Sequence, residues 1–130
     1  MFERDYLMRQ LMQLFEVLQK IMRYRKKGEK GKALEQVQFF YASLKLEELP
    51  GKLSVEEMMK LLVYDKKLTN EQLELLACVL KEQGEMEESE TLRLDCFRKA
   101  WFLLDKVERE SVTFSMDRLM RLGELKEYLN

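Results

Sequence analysis

Apolar residues recur at alternating steps of four and three from the start of the chain: Leu7, Leu11, Leu14, Leu18 and Ile21 form one row, and Met8, Met12, Phe15 and Met22 widen it. Residues three and four apart share one face of an α-helix, whereas a half-buried strand alternates at every second position. The opening of the chain is therefore an amphipathic helix. Its broad stripe, fading near Gly28, suits a helix packed inside a globular domain better than the narrow seam of a coiled coil. With one proline and five glycines in 130 residues, few positions break such helices. Apolar residues at 46% and charged residues at 36% support a core and argue against disorder. The expected fold is all-α, with residues 1–130 forming a single domain.

A second row, Ala33, Leu34, Val37, Phe40, Tyr41 and Leu44, predicts a helix from about Lys32 to Leu46, after a basic turn bracketed by Gly28 and Gly31. Pro50-Gly51 is the firmest stop, because proline lacks the amide proton and glycine tolerates turn dihedrals. Ser54 and Glu57 have the spacing of a capping box and open a short helix through Met58, Leu61 and Leu62. After a solvated Asp65-Lys66-Lys67 connection, Thr69 or Asn70 caps a helix that turns Leu73, Leu76, Ala77 and Leu80 inward and ends at Gly84.

Glu85, Glu87, Glu88 and Glu90 are expected to begin the next helix, where negative charge complements the helix dipole. Its apolar face comprises Leu92, Cys96, Ala100, Leu103, Leu104 and Val107, with Phe97 and Trp101 as a second stripe. Ser111 is read as the cap of a last helix carrying Phe114, Leu119 and Leu122, interrupted at Gly123.

Three segments thus share a layout of helix, glycine and following helix, around Gly28, Gly84 and Gly123, at unequal spacings that exclude a regular solenoid. Leu73, Leu76, Ala77 and Leu80, with Gly84 as turn glycine and Phe97 and Ala100 as an aromatic–alanine pair, resemble a tetratricopeptide repeat lengthened by about one helical turn. Tyr24, Gly28 and Ala33 resemble a second copy; Leu119 and Gly123 keep little of a third. The whole sequence, especially the opening Met1-Phe2-Glu3-Arg4-Asp5-Tyr6-Leu7-Met8-Arg9-Gln10, is also similar to a small bacterial family of unknown function with a tetratricopeptide-like fold. The resemblance implies irregular antiparallel helical hairpins in a right-handed array of about six or seven helices. It implies no particular activity.

Several chemistries are excluded or disfavoured. The chain has no histidine, so Ser-His-Asp and Cys-His catalysis within it is impossible. A zinc site is disfavoured by the same absence and by having only Cys78 and Cys96, which read as buried free thiols. Gly28-Glu29-Lys30-Gly31-Lys32 lacks the glycine spacing and hydroxyl of a phosphate-cradling loop. Glu85 and Glu88 have the spacing to share a helical face as an acid/base pair, but an acidic first turn is the ordinary use of such residues. No cofactor, metal or enzymatic activity is expected. No apolar run is long enough to span a membrane and no signal segment is evident, so a cytoplasmic location is expected.

What remains is binding. The leading expectation is a non-catalytic adaptor or scaffold module that takes a protein or peptide partner in a groove between helices, with Tyr6, Arg9, Gln10 and Gln13 as rim groups. One alternative is a homodimer, through Leu7, Leu11, Leu14 and Leu18 or through surplus apolar surface at Phe97 and Trp101. A weaker alternative is nucleic acid at the basic cluster Lys20, Arg23, Arg25, Lys26, Lys27, Lys30 and Lys32. The net charge of -1 disfavours a general polyanion binder.

Overall fold

A computed structural model of the chain, which describes residues 2–130 apart from the Phe2 side chain, is all-α. Met1 and the side chain of Phe2, both in the opening motif of the family resemblance, lie outside the described residues. Six α-helices form an irregular antiparallel arrangement: α1 (Phe2–Lys26), α2 (Lys30–Ser43), α3 (Val55–Met59), α4 (Asn70–Met86), α5 (Glu90–Glu110) and α6 (Met116–Leu129). A 3-10 turn at Pro50–Lys52 precedes α3, and a π-helical segment at Lys60–Asp65 continues it. The chain divides into two compact units, Met1–Glu47 and Glu48–Asn130.

The first unit is the α1–α2 hairpin. Leu14, Val17, Leu18 and Ile21 of α1 are buried, as are Ala33, Val37, Phe40 and Tyr41 of α2. Gly28 adopts φ +76°, the left-handed conformation that lets the chain reverse, and its amide donates to the Arg25 carbonyl at 3.0 Å. Gly31, expected to close this turn, lies inside α2, which starts at Lys30. The helix stops at Ser43, where Leu44 donates back to Tyr41 and Lys45 turns left-handed at φ 53°. At 25 and 14 residues, α1 and α2 are about 37 and 21 Å long. Much of the N-terminal half of α1 therefore extends past its hairpin partner; Leu7, Met8 and Met12 are exposed there, and Phe15 is exposed further along the helix.

In the second unit, capping boxes define two helix starts. The Glu57 amide donates to Ser54 Oγ at 3.1 Å while the Ser54 amide donates to Glu57 Oε1 at 2.9 Å. Thr69 and Gln72 make the same exchange, which settles the start of α4 on Thr69. Each such cap contributes about 1 kcal/mol. Leu73, Leu76, Ala77 and Leu80 face inward as expected and meet Phe97, Ala100, Leu103 and Leu104 in the core of the α4–α5 hairpin.

Gly84 does not end α4, which continues to Met86. A Cβ on Gly84 would lie 2.7 Å from Cε1 of Phe97 and 3.0 Å from Cβ of Cys96. The glycine therefore serves close helix approach rather than a turn. Gly123 likewise lies inside α6, in open space. Of the three glycines in the repeat layout, only Gly28 occupies a turn.

The acidic run divides differently from the expectation. Glu85 belongs to the last turn of α4, Glu87 and Glu88 lie in the connection, and only Glu90 enters the first turn of α5, capped by Ser89. Glu85 and Glu88 therefore share no helical face. Leu92, assigned inward, is exposed. Ser111 follows the end of α5, and Ser115 instead caps α6 by accepting from the Arg118 amide at 3.2 Å. Phe114 consequently stands before the helix and is exposed.

Candidate functional site

The first unit holds an open cleft of about 620 Å³. Tyr6, Arg9, Gln10, Gln13, Glu16 and Lys20 line it from α1, and Phe39 and Ser43 from α2, over a floor of Leu14 and Val17. The cause is helical geometry: positions 6, 9, 10, 13, 16, 17 and 20 recur at three- and four-residue steps and lie along one flank of α1. Near the end of α2, Ser43 Oγ donates to the Phe39 carbonyl at 2.8 Å. Phe39 remains exposed. The lining is mixed: an exposed aromatic ring, glutamine amides, a phenol, two cations and one carboxylate. Such a surface can pair with the polar groups of a peptide and cover one apolar side chain.

The structure thus brings the expected rim residues Tyr6, Arg9, Gln10 and Gln13 together. Lys20 lines the cleft, whereas Arg23, Lys26, Lys27, Lys30 and Lys32 occupy the α1–α2 turn and its flanks. Lys32 is already engaged, 3.5 Å from Glu29 and 5.8 Å from the ring centre of Tyr24. Arg23, Arg25 and Lys26 lie in the last turn of α1, where cations complement the helix dipole without a ligand.

The second unit contains buried cations that the sequence reading did not single out. Lys99 is 1% exposed and donates to the Pro50 carbonyl at 2.7 Å and Asp95 Oδ2 at 2.6 Å, tying the 3-10 turn to α5. Arg118 is 4% exposed and donates to Glu108 at 2.8 Å, Glu74 at 3.0 Å and the Thr113 carbonyl at 3.1 Å. The Glu108 hydrogen bond raises its pKa, and burial opposes this less than the carboxylates favour it. Lys81 bridges Glu85 at 3.0 Å and Glu124 at 3.3 Å. The i,i+4 pairing of Asp95 and Lys99 was legible in sequence; the bonds of Arg118 to Glu74 and Glu108 join residues 44 and 10 apart and leave no local pattern. Every charge in these clusters meets a partner inside the chain, which is the arrangement of a structural clamp.

Cys78 and Cys96 are buried free thiols. Burial pushes the Cys78 thiol up, and pushes Cys96 up to about 12, with the Glu87 and Asp95 carboxylates adding to the effect. Because the folded pKa of Cys96 exceeds its ordinary 9.0, the unfolded chain loses a proton that the folded chain keeps between those values, and stability falls as pH rises through that window. Both thiols are expected to react with a disulfide reagent about 100-fold more slowly in the native protein than in urea. Fast native labelling at pH 8 would contradict the burial.

Among the described residues, no group of three or more His, Cys, Asp and Glu side chains could hold a metal ion, and no helix is long and apolar enough to cross a membrane. The class defined by the fold is an all-α protein of irregular antiparallel helical hairpins. No protein-family model matches the chain. No curated protein and no solved structure matches it either.

Proposed function

We propose that the chain is a non-catalytic protein- or peptide-binding module of tetratricopeptide-like type, and that the cleft of the first unit is its binding site. The observation that carries this reading is the convergence of Tyr6, Arg9, Gln10 and Gln13 with exposed Phe39 on one open cleft. Amide and phenol groups spaced by single helical turns suit the backbone and polar side chains of a short segment, and Phe39 offers a place for one apolar anchor. The ion-pair clusters of the second unit hold its helices and loops, leaving it the role of scaffold.

Selection from a random-peptide display library against the intact protein tests the reading. Selected peptides are expected to lose at least about tenfold in affinity against Tyr6→Ala and Phe39→Asp, since central aromatic residues dominate such contacts. Peptides that bind both variants as tightly as the native protein would place the site elsewhere.

A further inference from the structure

We infer that the exposed apolar stripe of α1 is an interface with a second copy of this chain, the two α1 helices packing antiparallel through Met8, Met12 and Phe15. This goes beyond the peptide-binding reading: the apolar stripe lies on another flank of the helix, and Arg9, Glu16 and Lys20, which also line the cleft, form the edge that the two surfaces share. Met8, Met12 and Phe15 are 53%, 61% and 49% exposed. Their steps of four and three place them in one stripe, the spacing by which one helix packs against another. The stripe lies across the core-facing row from Tyr6, Gln10 and Gln13. Leu14 and Leu18, half of the row that the sequence suggested for a dimer, are buried within the chain and unable to serve.

Charge identifies the occupant. Along the edge between this stripe and the cleft run Asp5, Arg9, Glu16, Lys20 and then Arg23, all exposed. The signs of the first four alternate: negative, positive, negative, positive. Read in reverse, the order is positive, negative, positive, negative, so the edge is complementary to itself only when two copies run in opposite directions. A two-fold axis between Met12 and Gln13 sets Asp5 opposite Lys20 of the partner subunit and Arg9 opposite Glu16 of the partner subunit, each pair occurring twice. The same axis brings the two Met12 side chains together and Met8 of each copy near Phe15 of the other. A parallel pair would set this edge against the other flank of the partner's stripe, so these four charges would not meet one another. The acidic first turn and basic last turn of α1 favour the same antiparallel order.

A contact made by one helix from each copy falls near or below the roughly 1,200 Å² at which specific interfaces become strong, so a dissociation constant on the order of 10 µM is expected. Sedimentation velocity of the full chain across concentrations tests this. The native protein is expected to shift from monomer to dimer. Arg9→Glu and Glu16→Arg, each replacing two attractive contacts with two repulsive ones by symmetry, are expected to weaken the dimer at least about tenfold. The double variant Arg9→Glu/Glu16→Arg restores both pairs and is expected to recover it; all these positions lie at the surface, and circular dichroism confirms folding. Met12→Glu is expected to abolish the dimer, whereas Phe39→Asp, which addresses the cleft, is expected to leave it intact. A native chain that stays monomeric up to about 1 mM, a dimer indifferent to Met12→Glu, or a double swap that fails to restore association would overturn the inference.

Discussion

Gly84→Ala is expected to lower the unfolding free energy of the second unit by about 1–2 kcal/mol, although alanine is the better helix former by about 1 kcal/mol. The new methyl would fall 2.7 and 2.9 Å from two ring carbons of Phe97 and 3.0 Å from Cβ of Cys96. That ring has little room to retreat: it is buried and stacks on Tyr128 with centroids 4.7 Å apart. Relief requires α4 and α5 to separate, loosening the hairpin core along its length. Gly84→Val, with two further carbons, is expected to cost about 3–4 kcal/mol. Gly123→Ala supplies the opposite sign, because it is also helical but has nothing within 4 Å of its added carbon; it is expected to stabilise by up to about 1 kcal/mol. Urea unfolding midpoints distinguish the two. Equal stabilisation at both sites would mean that α4 and α5 do not approach so closely.

Arg118→Leu is expected to remove about 2–3 kcal/mol, since breaking a buried ion cluster from one side strands the other charges. Glu74 and Glu108 are 27% and 34% exposed at their side chains, so partial hydration keeps the loss at the lower end of that class. The substitution also withdraws a donor from the Thr113 carbonyl, whose neighbours Val112 and Phe114 are exposed. Cleavage by chymotrypsin after Phe114 should therefore accelerate beyond what the global loss of stability explains. Glu74→Gln/Glu108→Gln combined with Arg118→Leu is expected to recover part of the loss, because neutral amides tolerate one another where carboxylates repel. An unchanged unfolding midpoint in Arg118→Leu would show that the cluster adds no net stability.

The helices were legible in the sequence because their signal is local. Leu73, Leu76, Ala77 and Leu80 announced the buried face of α4, and the Ser54–Glu57 spacing announced its capping box. The glycines misled for a physical reason: sequence shows that a residue lacks Cβ but not whether that serves a turn, as at Gly28, or a neighbouring ring, as at Gly84. Ser111 and Ser115 are equally able to cap, and the choice fell to Ser115, from which the chain makes its last helix. The polar flank of Tyr6, Arg9, Gln10 and Gln13 was readable from helical periodicity. The contribution of Phe39 depended on how α2 folds back, which periodicity does not encode.

The brevity of the links after α1 and α4, three residues in each case, bears on how the chain reaches this state. Helices that meet their partners immediately along the sequence need close only small loops, so the entropy lost before the first stabilising contacts form is low. Such a topology favours rapid assembly, with the α1–α2 and α4–α5 pairs able to nucleate separately, each from interactions within its own stretch of chain.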